Sequence, residues 1–168
     1  MANSLPTDSG IVIDGRYRLI APLGIGSGGQ VYLADDIRLR RQVAVRVIQR
    51  SYADNPSFLE QFCSEAEKAT ALDHPNLIPV YDWGEKELPY VVTEYLSGGT
   101  LRELLDTVGS VSPSQALLIG IEISKGLEYA HKRGAIHFVL KPENIMFDFE
   151  SNIRIADLGI ASILSGLD

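Results

Sequence analysis

Apolar and polar side chains alternate along residues 16–24, RYRLIAPLG, before the chain meets a run of glycines. That period of two predicts a strand entering a turn. Residues 30–36, QVYLADD, and 42–49, QVAVRVIQ, are two more β-rich runs, separated by the charged turn IRLRR. Three strands joined by short turns predict an antiparallel meander. The period then changes. Phe58, Leu59, Phe62, Ala66, Ala69 and Leu72 fall on one face of a helix. Asn55 suits its N-cap and Pro56 its first position. The helix must stop before Pro75, because the residue ahead of a proline avoids the α region. LIPVYDWG (77–84) and LPYVVTEYL (88–96) read as two further strands about the polar turn EKE.

After SGG the pattern is helical. TLRELLDTVG (100–109) is short, with Thr100 as its cap. SPSQALLIGIEISKGLEYAHKRG (112–134) is long, opens on Ser112 and Pro113, and closes on Lys132, Arg133 and Gly134, which is C-terminal helix chemistry. IMFDFESNIRIAD (145–157) predicts a small hairpin turning at Ser151–Asn152. The reading is an α+β protein: a five-stranded antiparallel sheet with one helix, then a helical half, with no internal repeat. The expected divisions are a polar arm at 1–10, a β-rich part at 11–94 and a helical part at 95–168.

Charge and composition narrow the function. The net charge is −7, which argues against bulk attraction to nucleic acid or an anionic membrane. The local basic run RLRRQVAVR alternates with apolar residues and reads as strand edge and turn. Cys63 is the one cysteine, so neither an internal disulfide nor a zinc site is expected, and a reducing cytoplasm fits. A packed thiol is the ordinary reading of Cys63. No apolar run reaches the ~18 residues a membrane span needs. MANSLPTDSG lacks both the basic start and the apolar core of a secretory signal.

Gly24, Gly26 and Gly29 form G-x-G-x-x-G. In dinucleotide-binding folds that spacing leads from a strand into a helix. Here Val31, Tyr32 and Leu33 follow, which is a strand. A glycine hairpin between strands lets backbone N–H groups approach phosphates without Cβ obstruction, although a plain tight turn uses glycines too. VAVR then follows on the third strand, a helix bearing Glu65 comes next, and HFVLKPEN and DLG appear in order. This series, over residues 11–168, resembles the eukaryotic-like Ser/Thr protein kinases, the bacterial members in particular.

The resemblance implies a two-lobed kinase fold with a complete N-lobe and a partial C-lobe ending just after DLG. It implies ATP and Mg²⁺ as cofactors. Leu23, Gly24, Ile25, Gly26, Ser27, Gly28, Gly29 and Val31 correspond to the phosphate-covering loop. Val31 and Ala44 correspond to the roof over the adenine, Met146 to its floor and Thr93 to the back of the pocket. The backbone at Glu94 and Leu96 corresponds to the adenine-binding hinge, with Tyr95 and Gly98 beside it. Asn144 and Asp157 match metal positions, and Lys141 lies where a positive charge meets the transferred phosphate.

Three departures from that pattern matter most. Arg46 stands where the family carries the lysine that contacts phosphates and pairs with the helix glutamate, here Glu65. Its longer, forked guanidinium is not a conservative replacement, although a pair with Glu65 remains open to it. Val139 stands where the family carries the aspartate that orients and deprotonates the acceptor hydroxyl. Loss of such a base costs ~10²–10⁴-fold in rate, about 3–5 kcal/mol of barrier. Glu143 is the nearest carboxylate, but its place in the motif points elsewhere. Phe138 replaces the arginine that reads activation-loop phosphate in many members, and Leu158 is a mild change in DLG. His137 reads as a packing residue. The sequence also stops soon after Gly159, which implies an apolar face on the helix carrying Leu117, Leu118, Ile121, Ile123 and Leu127 for a protein partner or self-association. Three readings stay open: a nucleotide-binding pseudokinase acting through protein contacts, an active Ser/Thr kinase, and a remnant without independent function.

Overall fold

The computed structural model describes residues 10–26 and 28–158, and Gly159 and Ser27 lie outside them. The chain forms two compact units, one of Met1–Thr70 with Val80–Tyr95 and one of Ala71–Pro79 with Leu96–Asp168.

The first unit holds β1 (Val12–Ile13), β2 (Tyr17–Gly26), β3 (Gly29–Asp36), β4 (Arg41–Ile48), α1 (Arg50–Ala53), α2 (Pro56–Thr70), β5 (Val80–Gly84) and β6 (Tyr90–Glu94). The strands make one antiparallel sheet in the order β1-β2-β3-β4-β6-β5. The expected five strands become six. The extra one, β1, pairs only Val12 and Ile13 with Arg18 and Tyr17, too short a run for alternation to reveal. The predicted fourth strand begins at Val80 instead of Leu77. Leu77 and Ile78 are used elsewhere: Leu77 bridges Ile155, and Ile78 N–H donates to the Ile155 carbonyl at 2.9 Å.

One sheet face buries Tyr17, Leu19, Tyr32, Ala34, Val43, Val45, Val47, Tyr90 and Val92 as a core. The apolar set of α2 narrows to Phe58, Phe62, Ala66 and Ala69, which are fully buried, while Leu59 and Leu72 are half-buried. Phe62 meets Trp83 of β5 edge-on at 6.3 Å, which fixes the helix against that strand. Asn55 caps α2 as its position predicts, its Oδ1 accepting from Ser57 and Phe58 N–H.

A charged brace crosses this unit. Arg16 donates through Nε and Nη2 to both oxygens of Asp36, at 3.0 and 2.7 Å, and through Nη1 to Asp82 at 2.9 Å. The Tyr17 hydroxyl also donates to Asp82. Asp36 is 1 % exposed and accepts from Arg38 and Leu39 N–H as well. The Arg16 guanidinium, more than anything else, holds its carboxyl below the usual range.

The second unit holds α3 (Leu101–Val108), α4 (Pro113–His131), a 3-10 turn at Pro142–Asn144, β7 (Ile145–Phe147) and β8 (Ile153–Ile155). Thr100 and Ser112 make complete capping boxes with Glu103 and Gln115. β7 and β8 form the expected hairpin, with Ser151 at φ +66° in its turn. Its core gathers Leu77, Ala130, Ile145, Ile153, Ile155 and Leu158, with Ile123 and Leu127 packed against it. Leu117, Leu118 and Ile121 are exposed. The apolar face predicted on α4 is therefore open at three of its five positions. Among the described residues, no helix is long and apolar enough to cross a membrane.

Candidate functional site

In the first unit, β2 and β3 close a hairpin with Gly24 opposite Val31, Ile25 opposite Gln30 and Gly26 opposite Gly29. The glycines thus lead strand to strand, as the sequence context predicts. The motif glycines do unlike work. A Cβ on Gly29 would stand 2.2 Å from the Val47 carbonyl oxygen, so this glycine lets β3 and β4 pack. A Cβ on Gly24 would meet nothing within 4 Å. Gly28 has φ +70°, a conformation that favours glycine. Ile25 at the tip is 83 % exposed, and Leu23 is exposed too.

Strand register sets a second group. Arg46 lies opposite Val31 and Val91, and Ala44 opposite Leu33 and Thr93. Directly opposed residues share a face, and side chains alternate along each strand, so Val31, Ala44, Arg46 and Thr93 occupy one sheet face. The core described above fills the other. Glu65 on α2 accepts from Lys68 Nζ through Oε1 at 2.6 Å. Glu94 closes β6 opposite Val43. Burial pushes the Cys63 thiol up to about 11, and its Sγ donates to Glu85 at 2.8 Å. The thiol is half-buried on α2 and engaged with Glu85.

In the second unit, Leu96 is buried. Gly98 N–H donates to the Phe147 carbonyl at 3.1 Å, and a Cβ on Gly98 would stand 2.4 Å from that oxygen. Thr100 bridges Met146, which brings that half-buried side chain beside this segment.

The loop 137–144 is tied to its neighbours by a small set of bonds. Asn144 Nδ2 donates to the Val139 carbonyl at 2.8 Å. Asn144 N–H donates to the Lys141 carbonyl at 2.9 Å, and Ala156 N–H donates to the Asn144 carbonyl at 2.8 Å. His137 Nε2 meets the Ala156 carbonyl at 2.8 Å, a geometry that places the proton on Nε2. His137 is 8 % exposed, and its Nδ1 has no partner among the described residues. These bonds set Asn144 next to the segment carrying Asp157. Asp157 sits at φ +62°, a left-handed conformation costing ~1–2 kcal/mol for a residue with a Cβ.

Lys141 and Phe138 are exposed, and Val139 is half-buried. Glu143 accepts from Arg102 Nε of α3 at 3.2 Å. A hydrogen bond from its own backbone N–H, and then Arg102, holds the Glu143 carboxyl below the usual range. Its carboxylate is engaged by Arg102 of α3.

The donor set suits a hard cation that brings its own oxygen ligands. With Nδ2 committed to Val139, the Asn144 side chain offers Oδ1, and Asp157 offers a carboxylate. Among the described residues there is no cluster of three or more His, Cys, Asp or Glu able to hold a metal. One carboxylate plus an amide oxygen is the sparse protein contribution expected where magnesium arrives with phosphates.

Two polar anchors, one buried and one half-buried, escaped sequence reasoning. Asn76 is 4 % exposed and donates to Glu122 Oε2 and the Ile153 carbonyl, both at 3.0 Å. Arg16 braces the sheet as described. Neither partner set is local in sequence, so no motif marks them.

The protein kinase domain family matches residues 17–167, and the chain belongs to that family. It is 40 % identical over 154 residues to the serine/threonine-protein kinase PrkC of Bacillus subtilis, covering 91 % of this chain and 24 % of PrkC. It is 43 % identical over 155 residues to the serine/threonine-protein kinase PknB of Mycobacterium leprae, covering 89 % of this chain and 25 % of PknB. The crystal structure of the Mycobacterium tuberculosis PknI kinase domain matches with TM-score 0.81 at 30 % identity, over 92 % of this chain and 62 % of that one. In sequence and fold this protein kinase domain is similar to the bacterial-type, eukaryotic-like Ser/Thr kinases. It spans about a quarter of the length of the curated relatives it matches.

Proposed function

We propose that this kinase domain is a pseudokinase that binds ATP with magnesium, transfers the phosphoryl group little or not at all, and acts through nucleotide binding and protein contacts. The observation that carries the reading is Val139. Its carbonyl anchors Asn144 in an assembled loop, yet its side chain supplies no lone pair where the acceptor hydroxyl would need one.

From the first unit, the hairpin Leu23–Val31 would lie along the phosphates, with Ser27 included from the sequence alone. Val31, Ala44 and Thr93 would contact the adenine side, and the Glu94 backbone would bond the base. Arg46 would supply positive charge and pair with Glu65. From the second unit, the Leu96 backbone and Met146 would contact the base, Asn144 and Asp157 would hold the metal, and Lys141 would sit near the terminal phosphate. Bound magnesium would neutralise charge on the phosphate oxygens. The exposed Leu117, Leu118 and Ile121 favour protein contact or self-association. The lone Cys63 favours the cytoplasm.

A second reading has its own support. The bonds among Val139, Asn144 and Ala156 leave the loop assembled, and phosphoryl transfer rests largely on positioning and electrostatics. That reading is an active Ser/Thr kinase with impaired proton handling. Titrating ATP and magnesium against thermal unfolding tests the binding claim. A rising midpoint that is absent in Asp157→Ala supports it, and no shift at millimolar ATP in folded protein removes nucleotide binding from the function.

A further inference from the structure

The second unit also carries a groove of about 640 Å³ that none of His137–Asn144, Met146 or Asp157 lines. Its volume is that of a ligand site. Four cations face it, Lys125, Lys132, Arg133 and Arg154, against two carboxylates, Glu122 and Glu128. This is a local reversal of sign in a chain of net charge −7.

The cations differ in how they are held, and Arg154 is committed to the buried Asp148, to which its Nε and Nη2 both donate at 3.4 Å. Lys125 and Lys132 pair with Glu122 and Glu128 on their own helix, each at 2.6 Å. Such exposed helix pairs are weak, so a guest carboxylate displaces them at little cost. Arg133 is different. Its guanidinium lies 3.7 Å from the Tyr129 ring centre, and Nη1 donates to the Tyr129 carbonyl at 3.4 Å. It has no carboxylate partner among the described residues. A planar fork held by a ring and a carbonyl, with no counter-charge, is a prepared anion site. Tyr129 is itself fixed, its hydroxyl accepting from Asp73 N–H at 3.1 Å and its ring 4.9 Å from His74. Asn76, tied to Glu122 and Ile153, makes a rigid polar wall.

We propose that this groove docks an extended acidic segment of a partner protein. Carboxylate side chains would meet Arg133 and Lys132, and the intervening backbone would lie along the Tyr129 side. A nucleic acid fits less well, because the net negative charge of the chain repels a long polyanion.

The test is fluorescence anisotropy with a labelled hexaglutamate peptide at low salt, with the neutral hexaserine as the control probe. Hexaglutamate should bind and hexaserine should not. Affinity should fall roughly tenfold or more in the double variant Arg133→Glu, Lys132→Glu, and by a smaller factor in Arg133→Gln. Thermal unfolding of each variant establishes that it is folded. Lys86→Glu, a matched reversal of an exposed lysine in the first unit, should leave binding unchanged. The proposal is overturned by an absence of binding at millimolar hexaglutamate, by equal binding in the double variant, or by equal weakening in Lys86→Glu. It is also overturned if inorganic phosphate or a single-stranded oligonucleotide displaces the peptide at lower concentration than unlabelled hexaglutamate does.

Discussion

The glycine hairpin of the first unit and the loop 137–144 of the second each mix two kinds of motif residue. In the hairpin, Gly29 is required by its closeness to the Val47 carbonyl, whereas Gly24 has open space where a Cβ would be. In the loop, Asn144 is buried and braces Val139, whereas Lys141 is exposed. Gly29 and Asn144 would be kept by folding alone. Gly24 and Lys141 have no such structural duty, so they speak more directly for phosphate binding. Asp157 speaks for it too, because it holds a left-handed backbone that folding alone does not favour. The loop differs from the hairpin in one respect. Val139 puts an apolar side chain where the resemblance implies a carboxylate, while its carbonyl accepts from Asn144 in a hydrogen-bonded loop.

The largest effect should come from the brace that holds the hairpin's sheet. Arg16→Met leaves the Asp36 carboxylate buried without its partner and should cost about 3–5 kcal/mol in urea unfolding. The pH dependence follows from the same pair. The folded Asp36 carboxyl is held below its unfolded value of about 3.9, so its contribution is complete above that pH and is lost as pH falls through the folded value. Stability should drop on acidification below about pH 4, with a shallower slope in Arg16→Met.

Gly29→Ala should cost about 3 kcal/mol, because the new methyl meets β4 backbone that cannot rotate away. Gly24→Ala should leave the unfolding midpoint nearly unchanged and weaken ATP binding. Equal destabilisation by both would erase the distinction drawn within the hairpin. Asn144→Ala removes the donor to the Val139 carbonyl and should cost ~1–3 kcal/mol as well as any metal binding. Lys141→Ala, at an exposed position, should change unfolding by under ~0.5 kcal/mol. A Lys141→Ala midpoint shifted as far as that of Asn144→Ala would show that Lys141 has a structural duty after all.

Much of this contrast was legible in the residues, and the boundary between legible and hidden is physical. Asn55, Thr100 and Ser112 act within three residues of themselves, so local sequence announces the helix starts. The glycine hairpin was separable from a dinucleotide loop because a strand follows it. The replacement at Val139 showed at once against the resemblance. What stayed hidden depends on distant partners: the Arg16–Asp36–Asp82 brace, the transfer of Leu77–Ile78 to Ile155, the Arg102–Glu143 pair and the packing duty of Gly29. β1 was missed for a different reason, being too short to show a period.

The most direct measurement is transfer of radiolabelled phosphate from ATP, with magnesium, onto the chain itself and onto serine- and threonine-containing peptides, beside the Asp157→Ala variant. Val139 predicts incorporation no greater than in Asp157→Ala, even where unfolding shifts show that ATP is bound. Steady incorporation that Asp157→Ala abolishes would contradict the account, since it would mean that this loop handles the acceptor's proton without a carboxylate at position 139.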